Sequence, residues 1–267
     1  MKKFIVCLLL AFIGLGYLIW QINQRLQIVS THSTSLTQGV AGICQLPEEE
    51  YRDGGTRFSE IRDRMTPHLE SALSKKGLAL GSPVFLRSFK EEKELELWLL
   101  DESSQDYKLA QVYTITGLSG DLGPKLEEGD KQSPEGFYHV ALPQFLPSST
   151  NHLAFNVGFP NAFDRAHDRT GSFIMIHGRV GSIGCLAMTD PYIEEIYTIC
   201  HAALSSGKQK RFQVQMFPFR MTSQNMNRYV AHKDHPFWQD IREGYDYFEA
   251  KRVPPKVRVE NKKYVFE

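Results

Sequence analysis

The stretch Ile174-Met175-Ile176-His177-Gly178-Arg179-Val180-Gly181-Ser182-Ile183-Gly184-Cys185-Leu186-Ala187-Met188 carries the densest chemistry in the chain. A β-rich run delivers a histidine at its end, and a loop with three glycines leads on to a cysteine. Glycine admits positive φ and close backbone approach, so the loop can bring His177 and Cys185 face to face. A thiol is a poor nucleophile until it ionises, and a nearby imidazole can take its proton. Amides around Gly184 and Cys185 could point at a developing oxyanion. Gly178 and Ser182 are supporting positions, with the Ser182 hydroxyl free to orient His177 or a substrate oxygen. A metal on this pair would need two more ligands, and only His167 or Asp190 lies near in sequence. No metal and no cofactor is expected. Gly181 directly precedes Ser182, so the Gly-x-Ser-x-Gly elbow of serine hydrolases is absent.

Outward from this stretch the pattern is mainly strands with flanking helices, an α+β class. Val84 to Phe89, Leu95 to Leu100 and Tyr107 to Thr116 are short, β-rich and separated by polar turns. Leu95, Leu97 and Leu99 alternate with Glu96 and Trp98 as in a half-buried strand. Phe137 to Val140, Phe173 to His177 and Phe212 to Phe217 are further strands. Residues 57 to 76 carry Phe58, Ile61, Met65, Leu69 and Leu73 at helical spacing, with Gly77 as a stop and Pro67 predicting a kink or break. A second helix follows Met188, with Asp190 as cap, Pro191 in the first position and Ile193, Ile196, Tyr197 and Cys200 on its apolar face. Cys200 there reads as a small buried hydrophobe. Residues 129 to 138, Gly-Asp-Lys-Gln-Ser-Pro-Glu-Gly-Phe-Tyr, form a turn and a strand start. The tail from Arg220 on holds Tyr229, Phe237, Trp238, Tyr245, Tyr247 and Phe248. They either pack the tail onto the main domain or wall a substrate groove.

The chain has 267 residues, with 31 basic and 31 acidic side chains and no net charge. That balance removes the electrostatic case for a nucleic-acid partner. With 42% hydrophobic and 23% charged residues it is an ordinary globular composition. The cysteines at 7, 44, 185 and 200 show no metal-ligand spacing and are too few for a disulfide scaffold. Lys2 and Lys3 precede an apolar run from Phe4 to Trp20 that no small-x-small cleavage site follows. This predicts an uncleaved signal anchor over residues 1–24, with the amino terminus in the cytoplasm and the rest in the periplasm. Cleavage and release to the periplasm is the alternative. The expected organisation is the anchor, a linker and amphipathic helix over 25–79, a catalytic domain over 80–219 and an aromatic-rich extension over 220–267.

The two motif stretches together resemble the YkuD-type L,D-transpeptidase catalytic domain. Its Gly-Asp-x-x-Ser/Thr-Pro-x-Gly-x-Tyr pattern is matched at 129 to 138, and its His-Gly pair followed by Ser-x-Gly-Cys at 177 to 185. The likeness is closer to the YafK-like branch, through Gly123-Pro124-Lys125, Gly158-Phe159-Pro160-Asn161-Ala162, Asp164-Arg165-Ala166-His167, Pro218-Phe219-Arg220-Met221-Thr222 and Gly244 to Glu249. The resemblance implies a β-sandwich catalytic domain, a Cys185 nucleophile served by His177, and peptidoglycan stem peptides as substrate. Transpeptidation at meso-diaminopimelate through a thioester is the leading expectation. Hydrolysis that releases a wall-linked lipoprotein is the alternative, and a non-catalytic wall-binding domain is the rival from another class. The chain departs from the broad pattern at two places: Ile183 stands where the family has His, and Ala187 where it has Arg. The loop between His177 and Cys185 is also shorter. Arg165, Arg179 or Arg220 could supply the lost cation for a stem-peptide carboxylate.

Overall fold

The computed structural model describes residues 58–267. The expected anchor over 1–24, Cys7, Cys44 and most of the linker lie outside the described residues. In chain order the elements are α1 (Phe58–Ser74), β1 (Val84–Phe89), β2 (Glu94–Leu100), β3 (Tyr107–Thr114), β4 (Gly136–Val140), β5 (Phe145–Ser149), β6 (His152–Asn156), α2 (Ala162–Ala166) and β7 (Met175–His177). They continue with β8 (Leu186–Ala187), α3 (Asp190–Ser205), β9 (Phe212–Phe217), α4 (Ser223–Arg228), α5 (His235–Lys251), β10 (Val257–Glu260) and β11 (Lys263–Phe266). The class is mixed α and β. One sheet runs β3-β2-β1-β9-β4, a second runs β5-β6-β7-β8, and β10 with β11 forms a hairpin.

The first sheet is covered on both faces, and β1 shows why. Val84 and Leu86 point into a cluster with Ile61, Leu69 and Leu73 of α1 and Ile193, Ile196 and Cys200 of α3. Phe85 and Phe89 point the other way, towards α5, where Phe85 meets Phe248 at 4.7 Å between ring centroids. Arg87 shares that face. Its buried guanidinium lies 4.4 Å from the Tyr245 ring and donates to the Glu249 carboxylate at 2.6 Å. The tail aromatics Trp238, Tyr245 and Phe248 therefore pack against the sheet. They also correct the half-buried reading of β2. Glu96 and Trp98 are enclosed along with the leucines, because α5 lies over them and the Trp98 indole donates to Glu96 at 2.9 Å.

Two helix readings need correction. Pro67 does not break α1, which runs unbroken through it. The proline sits on the exposed side, where the carbonyl it leaves unbonded can face water. Asp190 is not the cap of α3. Thr189, at φ 67°, takes that place without a side-chain bond, and Asp190 is the first helical residue. Its carboxylate instead accepts the Arg179 amide at 2.7 Å, which ties the helix start to the loop beyond His177.

The α1 seam offers a test of this packing. Leu69 is fully buried among α1, α3 and sheet residues. Leu69→Ala is expected to lower stability by about 2–5 kcal/mol, read as a fall in the urea midpoint at unchanged slope. A loss below 1 kcal/mol would mean that the helix is not seated as described.

Candidate active site

β7 pairs with β6 on one side and, in parallel, with β8 on the other, placing His177 opposite Ala187. Parallel neighbours usually need a crossover of about a dozen residues or more. Here Gly178 to Cys185 makes the return alone, and the backbone is bent hard to do it. Arg179 sits at φ 58° and Gly184 at φ 115°. Space is as restrictive as torsion. A Cβ on Gly178 would lie 2.6 Å from the Asp190 carboxylate and 2.9 Å from the Asn151 carbonyl.

His177 is buried at the end of β7, and its Nδ1 lies 2.5 Å from the Gly178 carbonyl. A carbonyl only accepts, so Nδ1 carries the proton and Nε2 keeps its lone pair. Burial lowers the imidazole pKa below its ordinary value, against the opposing pull of that carbonyl. The ring is a neutral base at neutral pH. The Cys185 thiol donates to the Phe173 carbonyl at 3.5 Å and accepts the Met175 amide at 3.3 Å. Burial pushes the thiol above its ordinary pKa, opposed by the Met175 N–H and by the Lys125 ammonium. In this state, among the described residues, thiol and imidazole are not hydrogen-bonded to each other. His177 ends β7 and Cys185 immediately precedes β8, two positions out of register with His177.

Ser182 is half-buried and does not reach His177. Its hydroxyl donates to the Cys185 carbonyl at 2.5 Å and so braces the turn ahead of the thiol. Gly184 brings the second motif in. A Cβ there would meet the Gln132 carbonyl at 3.2 Å, so the 129–138 segment borders the cysteine loop. Within that segment Asp130 accepts the amides of Leu126, Glu127 and Gln132 at 2.9, 3.2 and 2.9 Å. It also receives the Lys125 ammonium at 2.5 Å. Burial would raise the Asp130 carboxyl, but Lys125 and the three amides outweigh it and leave it below the usual range.

The three arginines lie in different settings. Arg220 donates to Glu96 at 2.6 Å and Glu94 at 2.5 Å on β2, and its guanidinium stacks 4.4 Å from the Phe89 ring. It is committed to the first sheet. Arg165, exposed on α2, donates to the Pro160 carbonyl. Arg179 is exposed beside His177 and uses its amide to hold Asp190. The two departures at the site also have physical settings. Ala187 is fully buried and exchanges backbone hydrogen bonds with Gly117, whose own Cβ would lie 3.0 Å from that of Ala187, so an arginine has no room. Ile183 is 77% exposed on the loop.

Sequence reasoning missed Asp190 as the loop's anchor and Lys125 as the cation that acts on the thiol. Lys125 stood in plain view in the Gly123-Pro124-Lys125 stretch, but nothing local to it points at a cysteine sixty residues on. Among the described residues no group of three or more metal-ligating side chains is assembled.

No family model matches this sequence. The chain is 47% identical over 186 residues to the proteins named "Putative L,D-transpeptidase YafK" in Escherichia coli K12 and O157:H7, covering 70% of this chain and 74% of each relative. Among solved structures, the helical cell shape determining protein Pgp2 of Campylobacter jejuni matches with a TM-score of 0.39 and 21% identity, over 71% of this chain and 79% of that one. Bd1075 of Bdellovibrio bacteriovorus matches with a TM-score of 0.36 and 20% identity, over 62% of each chain.

Proposed function

Since the chain belongs to the L,D-transpeptidase family that includes YafK, we propose that it is a cysteine acyltransferase of peptidoglycan, working from the periplasmic side of the inner membrane. The observation that carries this reading is His177, its Nδ1 2.5 Å from the Gly178 carbonyl, at the end of the strand that runs parallel to the one Cys185 leads into. The amino-terminal lysines and apolar run support the anchor, and a YkuD-like β-sandwich is the domain this reading assigns to the two larger sheets.

In the reaction Cys185 Sγ attacks the carbonyl carbon of a meso-diaminopimelate residue in a stem peptide. The thiol first turns away from the Phe173 carbonyl, a weak partner at 3.5 Å. Its proton passes to His177 Nε2. Backbone amides at Gly184 and Cys185 receive the oxyanion, a contribution of about 3 kcal/mol per donor. The C–N bond then breaks, the imidazolium returns its proton to the leaving amine, and a thioester remains. An amine or water attacks that thioester, gives a proton to His177 and restores the thiol. An amine acceptor makes a cross-link. Water makes the protein a hydrolase, with release of a wall-linked lipoprotein as the physiological form.

The test incubates purified peptidoglycan carrying bound lipoprotein with the protein and with Cys185→Ala, and reads the products by mass spectrometry. New diaminopimelate cross-links made by the intact protein alone are the expected result. Released peptide without new cross-links would assign hydrolysis instead. Identical products from both proteins would remove the thiol mechanism and leave a wall-binding domain.

A further inference from the structure

Lys125 is 4% exposed, yet nothing in the reaction above uses it. Its ammonium has three N–H donors. Two are bonded among the described residues, to the Asp130 carboxylate at 2.5 Å and the Glu127 carbonyl at 2.8 Å. Two chain segments bracket it against the nucleophile. On one side, a Cβ on Gly171 would meet the Lys125 Cε at 2.5 Å, and two residues on, the Phe173 carbonyl receives the Cys185 thiol. On the other, Gln132 donates its amide to the same Asp130 oxygen that binds Lys125 and turns its carbonyl onto Gly184, the residue before Cys185. Phe159 closes a third side, its ring centroid 6.0 Å from Nζ.

We propose that Lys125 forms an anion subsite beside Cys185, which takes a carboxylate of the substrate next to the scissile bond and holds the thiolate as it forms. The assignment of a stem-peptide carboxylate rests on the reading under Proposed function. The thiolate part does not. Charged groups surround the subsite: Asp121, Lys233 and Asp234 line one pocket with Glu127 and Asp130. Asp130 spreads its charge over three amides, Glu127 offers its carbonyl, and Glu128 on the same segment takes the Ser172 hydroxyl at 3.3 Å. His177 is neutral for the reason given above. A single third N–H on a fixed ammonium is the donor an incoming carboxylate finds. The subsite also supplies what Ala187 has no room to supply, and it does so from a different segment of the chain.

The experiment compares two alkylating agents on the full-length protein, following the Cys185 peptide by mass spectrometry. Iodoacetate carries a carboxylate and iodoacetamide does not. Lys125→Met is expected to lower the iodoacetate-to-iodoacetamide rate ratio at Cys185 about tenfold and to move the alkylation pH profile up by about one unit. Lys125→Arg should keep the ratio within about threefold of the native protein. Asp130→Asn removes the paired anion and should raise the ratio, the opposite sign to Lys125→Met. A loop that merely loosens would shift both variants the same way, and that outcome, or an unchanged ratio in Lys125→Met, overturns the proposal. Neither alkylation needs peptidoglycan, so the result stands apart from the fate of the acyltransferase reading. For the substrate half, stem peptides with the diaminopimelate carboxylate amidated should lose kcat/KM with the native protein but lose little more with Lys125→Met. Equal losses with both proteins would place the carboxylate elsewhere.

Discussion

Replacing His177 by alanine is expected to lower turnover of peptidoglycan by two to four orders of magnitude, the range a positioned proton carrier contributes. The size follows from the state of the thiol. Burial holds Cys185 above its ordinary pKa, so at neutral pH almost none of it is thiolate without help. The base must take the proton as the sulfur attacks. On the proposed mechanism thiol and imidazole act in one step, so the losses should not add: Cys185→Ala with His177→Ala should be no worse than Cys185→Ala alone. The pH profile follows with its sign. A general base works only when unprotonated, and burial lowers the His177 pKa. The acid limb of kcat/KM should therefore fall below the ordinary imidazole value near 6.5. Rates for the native protein would stay level from there through neutrality. An acid limb at or above pH 6.5, or a His177→Ala protein within tenfold of native, would sink the assignment of His177 as base.

How much of this site could be read from the sequence depends on how local each part is. His177 and Cys185 stand out as candidates because a β-rich run, three glycines and a thiol lie within fifteen residues. β1 and β9 were legible for a similar reason, as apolar β-rich runs between turns, and their bounds match the expectation. β5 was not. Pro147 and two serines dilute its pattern, and it runs at the margin of the second sheet, where proline is tolerated. α5 was missed as a helix although Trp238, Ile241, Tyr245 and Phe248 fall at helical spacing. Aromatics favour strands and the acids and arginines between them blur the stripe. Proline at its start is in hindsight a helix signal. The 129–138 segment was visible as a turn, but its task was not. Asp130 binds neighbours within five residues, but Glu135 works on Lys90 and Trp238, which only folding brings near, and no window of sequence contains both ends of those contacts.

Glu135→Ala should be the most damaging single change outside the site, and the reason lies in what one carboxylate holds. It is fully enclosed. Oε1 receives the Gly123 amide at 2.8 Å and the Lys90 ammonium at 3.1 Å, and Oε2 receives the Trp238 indole at 2.8 Å. Lys90 is itself 6% exposed and keeps the Gly123 carbonyl at 2.6 Å. Alanine would leave a buried ammonium, an amide and an indole N–H without their acceptor. An uncompensated buried charge costs about 3–5 kcal/mol, a large part of the stability of an ordinary domain. Lys90→Met combined with Glu135→Leu should cost much less, because both charges leave together. The pH dependence separates charge from packing. Burial lowers the Lys90 pKa, and Glu135 is the main opposing force. Without Glu135 the folded-state pKa falls further below the unfolded value of about 10.4. Between those two values the folded protein binds fewer protons than the unfolded chain, so stability rises with pH. The deficit of Glu135→Ala should therefore shrink as pH is raised from 7 towards 10 in urea unfolding. A deficit that stays constant would assign the loss to packing alone. The same change should reach the nucleophile. Gly123 starts the segment that carries Lys125 and Asp130, and Trp238 ties that segment to the α5 helix over the first sheet. Trp238→Phe keeps an aromatic ring but removes the donor and some buried bulk, so it should weaken the fold without abolishing it. It should still lower the iodoacetate preference of Cys185 by loosening the segment that holds Lys125.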